Sequence, residues 1–110
     1  MLELWEILVP VKDWYDIPFT LEHHRKWDNM VCSLCGGLNL QKTINGKWFN
    51  KPGFNEAVFV EEQMIPVRIA CDKEQLEQII EFTIKHYSQE AVMAYKISDE
   101  VIIQEKPKVC

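Results

Sequence analysis

Met64-Ile65-Pro66-Val67-Arg68-Ile69-Ala70-Cys71-Asp72-Lys73-Glu74-Gln75-Leu76 changes its apolar period within one short stretch. Up to Cys71 the period is two. Ile65, Val67, Ile69 and Cys71 fall on one face of a strand, and Met64, Arg68 and Ala70 on the other. From Asp72 the spacing becomes helical, with Leu76, Ile79, Ile80, Thr83 and Tyr87 forming one stripe. Asp72 followed by Gln75 fits a capping box, and Lys85 and His86 suit the negative end of the helix dipole. A half-buried strand running straight into an amphipathic helix predicts a sheet with helices on it. The β-prone stretch extends back to Ala57, and Pro66, which has no amide hydrogen, is expected to break or kink it. Glu61-Glu62-Gln63 reads as a turn or bulge before that break.

Working outward, residues 3–12 alternate as a first strand, with Trp5, Ile7, Val9 and Val11 toward the core and Leu4, Glu6 and Leu8 away from it. Asp13 to Phe19 reads as a loop. Thr20 is an N-cap for a helix whose stripe is Trp27, Met30, Val31 and Leu34, ended by Gly36-Gly37. Leu38 to Ile44 reads as a strand, and Asn45-Gly46 as a tight hairpin turn with Lys47-Trp48-Phe49 as its return arm. Lys51-Pro52-Gly53 marks another turn. After the second helix come a strand from Ala91 to Ile97, a turn at Ser98-Asp99-Glu100, a short strand Val101-Ile102-Ile103, and a frayed tail from Glu105 to Cys110. This order predicts one α+β domain over residues 1–110, ferredoxin-like βαββαβ. Its antiparallel sheet carries two helices on one face, with an extra β-hairpin after the first helix.

Composition narrows the function classes. The 110 residues carry a net charge of −5, which argues against general nucleic-acid binding and against anionic membrane surfaces. No apolar run is long enough to cross a bilayer, and the acidic start Met1-Leu2-Glu3-Leu4-Trp5-Glu6 is unlike a signal peptide. A cytoplasmic protein with its four cysteines as thiols is expected.

The segments Trp5-Glu6-Ile7-Leu8-Val9-Pro10, Trp27-Asp28, Gly36-Gly37-Leu38, Gly46-Lys47-Trp48, Met64 to Ile69 and Tyr87-Ser88-Gln89-Glu90-Ala91-Val92 together resemble a group of small uncharacterised proteins of bacteria and their phages. The likeness covers most of the chain. It implies an α+β fold and a cytoplasmic location in a bacterium or phage-infected cell. It implies no reaction, no cofactor and no catalytic residue.

Several residues invite a chemical reading. Cys32-Ser33-Leu34-Cys35 has the spacing of a redox pair or half a zinc site. It falls at a helix C-terminus, where the local field disfavours thiolate, and no second tight ligand pair completes a zinc site, so a packing role is expected and no metal. His23 and His24 are adjacent and point about 100° apart on a helix, so they are not expected to share one site. One is expected beside the buried stripe and the other in solvent, with a base or anion-binding role as the sharper reading. Glu61 and Glu62 offer paired carboxylates, but neighbours on a strand face opposite ways.

Glu6 and Arg68 meet on the sheet's far face if the strands carrying them are neighbours. Their pairing is then a cross-strand ion pair, or it aims Arg68 at an anionic ligand. Gly36-Gly37 follows a helix and makes no phosphate loop. Trp14, Tyr15, Trp48 and Phe49, with Phe54 and Phe59, either cover the sheet or form an aromatic contact surface.

The reading these features support is a non-catalytic binding module. It forms a homodimer through the open sheet face of Leu4, Leu8, Met64 and Ala70 around Glu6 and Arg68. It binds a protein partner or small anionic ligand, with Trp14, Tyr15, Trp48, His23 and His24 at the contact surface and no cofactor. A phage-encoded inhibitor or sequestering protein fits that description. The alternative is a small dimeric enzyme whose pocket is lined by His23, His24, His86, Arg68 and Tyr95.

Overall fold

A computed structural model describes residues 1–50 and 58–107, with backbone alone at 48–50 and 58–60. The elements are β1 (Glu3–Pro10), α1 (Leu21–Cys35), β2 (Asn39–Leu40), β3 (Ile44–Asn50), β4 (Val58–Cys71), α2 (Lys73–His86) and β5 (Ala94–Ser98). The sheet runs β2-β4-β1-β5, with β3 beside β2 on the same flank of β4, and every adjacent pair is antiparallel. This is the ferredoxin-like α+β arrangement predicted. Among the described residues no helix is long and apolar enough to cross a membrane.

The core forms where the two predicted stripes meet the predicted strand faces. Ile7 and Val9 from β1 and Val67, Ile69 and Cys71 from β4 pack against Trp27 and Val31 of α1 and Leu76, Ile79 and Tyr87 of α2. Both helix starts are as read: Thr20 accepts from the His23 amide, and Asp72 and Gln75 make a reciprocal capping box. Gly36 closes α1 at φ 88°, a left-handed conformation that costs glycine nothing, and its N–H reaches the Cys32 carbonyl.

Three strand assignments need correction. Asn45-Gly46 is not a turn: Asn45 opposes Gln63 and Gly46 opposes Glu62 within the β3–β4 hairpin. A dipeptide with a strong turn preference is held extended there by the long ladder on β4. Glu61-Glu62-Gln63 are regular β4 residues for the same reason. Pro66 does not break β4, whose 14 residues run through it. The interruption appears in the neighbouring strand instead, between β2 and β3. The Gln41 amide donates to the Pro66 carbonyl at 2.9 Å. Backbone N–H and C=O of one strand residue point the same way, so the missing Pro66 donor faces the gap between β2 and β3.

The turn expected at Lys51-Pro52-Gly53, and the side chains of Trp48, Phe49, Phe54 and Phe59, lie outside the described residues, as does Cys110. Val101-Ile102-Ile103 forms no strand.

The two helices are antiparallel and tied by polar contacts along their length. Trp27 Nε1 donates to Thr83 Oγ1 at 2.9 Å, and that hydroxyl donates in turn to the Ile79 carbonyl at 2.6 Å. At the other end Gln75 Nε2 donates to the Leu34 carbonyl at 3.1 Å. Trp27 and Thr83 are fully buried, so an unpaired indole N–H there is expensive. Thr83→Val is expected to lower unfolding free energy by about 1–3 kcal/mol, the cost of an orphaned buried donor. Thr83→Ser, which keeps the hydroxyl, should lose less in the same urea titration.

Candidate functional site

The residues with chemical potential divide between the two faces of the sheet. On the helix side, the loop after β1 folds back over the helix ends. Asp13 Oδ1 accepts from the amides of Tyr15 and Ile17, Lys12 bridges to Pro18, and the Phe19 amide donates to the Val11 carbonyl. Trp14 is 56% exposed, yet its indole N–H donates to the Ser88 carbonyl at 2.9 Å and so pins the loop to the end of α2. Tyr15 is exposed.

Beneath this loop all three histidines gather around buried Tyr87. The antiparallel helices bring His23, near the start of α1, against His86, at the end of α2. Their rings stack at 3.8 Å, and each donates from Nε2 to the other's backbone carbonyl at 2.7 Å. Phe19 stacks on the outer face of His23 and Phe82 on that of His86, giving a row of four rings. His24 turns to the side and shares a 2.7 Å hydrogen bond between Nδ1 and the Tyr87 hydroxyl.

The expectation that His23 and His24 cannot share a site is therefore corrected. The 100° between them is bridged because Tyr87 presents its ring near one and its hydroxyl to the other. Burial pulls the His24 pKa below its ordinary value, partly offset by Asp28. Burial likewise pushes the Tyr87 phenol up. The Nε2 atoms of both His23 and His86 are committed to backbone carbonyls, so what the cluster visibly does is fasten two helix ends.

The cysteines follow the packing expectation. Cys35 packs against the core that contains Cys71, and burial pushes Cys35 up and Cys71 up to about 12. Cys32 is exposed, at the C-terminal turn of α1. Cys35 and Cys71, held toward the protonated form, are poor nucleophiles at neutral pH. Among the described residues no group of three or more His, Cys, Asp or Glu side chains is arranged to hold a metal ion.

On the reverse face Glu6 and Arg68 meet as the strand order requires. They are directly opposed across β1 and β4, with Arg68 Nε 3.1 Å from Glu6 Oε1. The Glu6 side chain is 8% exposed and that of Arg68 42%. The carboxylate is thus buried beneath the guanidinium, which presents its outer edge to solvent. Register places Tyr95 opposite Glu6, Asn39 opposite Arg68 and Ile44 opposite Met64, all on this face.

The expected open centre is not open. Leu8 is 6% exposed and Met64 5%. Leu8 sits in register with Pro66, flanked along β1 by buried Glu6 and Pro10. Exposed apolar side chains on this face include Tyr95 and Ile44, both toward its rim.

A third feature is an open cleft of about 430 Å³ between the loop after β1 and the β3–β4 hairpin, bordered by Lys12, Asp13, Trp14, Asp16, Glu61 and Glu62. Its carboxylates are partly engaged: Asp13 in its turn, Asp16 with Lys12 at 3.5 Å, and Glu61 with Lys47 at 3.5 Å. Of the residues singled out as a contact surface whose side chains are described, Trp14 alone borders it. His23 and His24 lie at the helix ends and Arg68 on the far face of the sheet, so they do not converge. Tyr87 is the member of the histidine cluster that the sequence did not link to His23; His86 was grouped with His23 and His24 only in the enzyme alternative. Pairing α1 and α2 in opposite directions would have put position 86 beside 23.

The architecture defines an α+β chain of the ferredoxin-like fold, and solved structures agree. No protein-family model matches the chain, and no curated protein matches it. The periplasmic divalent cation tolerance protein CutA from Archaeoglobus fulgidus superposes with a TM-score of 0.63 at 12% identity, covering 94% of this chain and 89% of that one. A phage SAM lyase, solved in complex with S-methyl-5′-thioadenosine, gives 0.64 at 14% identity over 93% of each chain. The divalent cation tolerance protein (Cut A1) from Thermus thermophilus gives 0.60 at 15% identity, covering 92% and 88%. At such identities the likeness is one of fold.

The His24 environment has a pH signature. Its native pKa is depressed, so as pH falls through the ordinary histidine value, about 6.5, the unfolded chain takes up a proton that the native chain resists. Stability is lost over that window. Asp28, whose carboxyl is raised by burial, acts in the opposite direction and only at lower pH. Urea midpoints are expected to fall between pH 7 and pH 5, and His24→Gln to flatten the slope. An unchanged slope in the variant would place the titration elsewhere.

Proposed function

We propose that the chain is a non-catalytic binding module that assembles with copies of itself through the sheet face turned away from the helices. In this reading Arg68 is the contact for an anionic group on a partner or small ligand. The observation that carries it is the composition of that face. A guanidinium is held in place by a buried carboxylate, with exposed Tyr95 and Ile44 toward the rim. An arginine fixed in this way loses little side-chain freedom on meeting a carboxylate or phosphate. Aromatic and aliphatic residues around such a charge are the usual make-up of a contact centre. A phage-encoded inhibitor or sequestering protein, working in the cytoplasm of an infected bacterium, fits this reading. A phage protein of the same fold supports the setting.

The second reading, a small dimeric enzyme with a histidine- and arginine-lined pocket, has one observation in its favour: a lyase shares the fold. Against it, Arg68 and the three histidines stand on opposite sides of the sheet. The ring nitrogens that bind His86 O, His23 O and the Tyr87 hydroxyl are spent on structure.

Leu8 and Met64 are buried within one chain, so charges there would test folding rather than assembly. Tyr95→Glu with Ile44→Lys is the cleaner variant. It is expected to sediment as a monomer with a near-native urea midpoint, where the native protein sediments as an oligomer. A native monomer, or a variant that keeps its assembly, removes this function. Arg68→Gln is expected to weaken binding of a polycarboxylate probe such as citrate in calorimetry.

A further inference from the structure

Residues 101–107 leave β5 and join no strand. Ile102 is 84% exposed and Ile103 65%. Beyond Glu100 the described hydrogen bonding within this segment amounts to Gln104 Nε2 donating to the adjacent Glu105 carbonyl. A run of Val-Ile-Ile has high β propensity and gains nothing from standing in water. The far edge of the sheet is open as well. Because the Gln41 amide points to Pro66, alternation turns the backbone groups of Leu40, the last residue of β2, outward, away from β4. Leu40 is 59% exposed, and Lys42 is exposed and enters no ion pair among the described residues.

The two features complement each other. The tail carries Glu100 and Glu105 on either side of its isoleucines, with Asp99 already paired to Lys96 and Lys106 following Glu105, whereas Gln41, Lys42 and Thr43 carry a cation and no acid. Within one chain they belong to opposite edges, with β4 and β1 between them. We infer that Val101-Ile102-Ile103 of one copy adds as a strand to the Leu40–Lys42 edge of a second copy. This deepens the self-assembly proposed above and rests on it. The contact supplies partners for backbone groups that the gap opposite Pro66 leaves facing outward. It also brings the isoleucines against Leu40 and the tail acids toward Lys42. It is heterologous, since each copy gives a tail and receives one, so it closes a ring if the rotation permits.

Heterology makes the test decisive. One variant, Ile102→Lys with Ile103→Lys, loses its tail but keeps its edge. Another, Leu40→Lys with Lys42→Glu, loses its edge but keeps its tail. Each alone is expected to lose the native oligomer, sedimenting as a smaller species with near-native circular dichroism. An equimolar mixture is expected to give a one-to-one pair, because one intact tail meets one intact edge. A synthetic peptide of residues 99–107 should dissociate the native assembly. The inference is overturned if either variant keeps the native oligomer, if the mixture stays at the size of its components, or if the peptide has no effect. Should the tail and edge variants remain assembled while Tyr95→Glu with Ile44→Lys dissociates, the sheet face stands and the tail contact falls. A native monomer sinks both.

Discussion

Every strand of the sheet depends on how β4 accommodates a proline. β4 pairs with all 8 residues of β1 on one side and with β2 and β3 on the other, so it is the strand that holds the layer together. A proline in such a position ordinarily costs a ladder bond or bends the strand. Here the cost is confined to one side. Leu8, in register with Pro66 on β1, turns its own amide to the Met93 carbonyl on the β5 side, so β1 asks no bond of Pro66 at that position. The other flank absorbs the defect by splitting one strand into β2 and β3. The split leaves outward-facing backbone at Leu40, the last residue of β2.

The helix layer is governed by a second economy. Two helices on one sheet need their contact specified in direction and register, and apolar stripes alone specify both weakly. Polar ties do it here at three heights: His23 with His86, Trp27 with Thr83, and Leu34 with Gln75. Each ties a group near one end or the middle of α1 to its counterpart on an antiparallel α2, so a slide of one turn would break all three together. Buried polar groups of this kind add specificity when fully paired and cost stability when not. Trp5 marks the boundary of the scheme: its indole N–H is buried without a partner among the described residues, while Lys96 lies 5.5 Å from its ring.

The legible parts of the chain were those governed by neighbours in sequence. Thr20, Gly36 and the Asp72–Gln75 box act within one turn, and the apolar stripes follow from periodicity, so helix limits, core faces and the ferredoxin-like class emerged from residues alone. The Glu6–Arg68 pair was legible for the same reason once β1 and β4 were adjacent. The failures share a cause in long-range pairing. Asn45-Gly46 has a turn preference worth little against the β3–β4 ladder, and Glu61 to Gln63 look like a loop until a partner strand lies beside them. The histidine cluster needs the relative direction of two helices separated by more than 60 positions in sequence, which no local pattern contains. Leu8 and Met64 were assigned correctly to the reverse face, but alternation says nothing of how far neighbouring side chains shield them.

The reverse face has the form that a shared fold leaves free to vary. Its counterparts of similar architecture include divalent cation tolerance proteins and a lyase, so the arrangement of strands and helices sets no activity by itself. In this chain the local features are a guanidinium backed by a buried carboxylate in mid-sheet, and exposed apolar residues at the rim and in the tail. Desolvating that ion pair in an assembly would be costly if the partner surface were wholly apolar, because Arg68 would lose water at its outer edge without replacement. A contact that keeps Tyr95 and Ile44 dry therefore has to leave Arg68 hydrated or give it an anion. On this face, therefore, any contact that buries Tyr95 and Ile44 must also settle what faces Arg68.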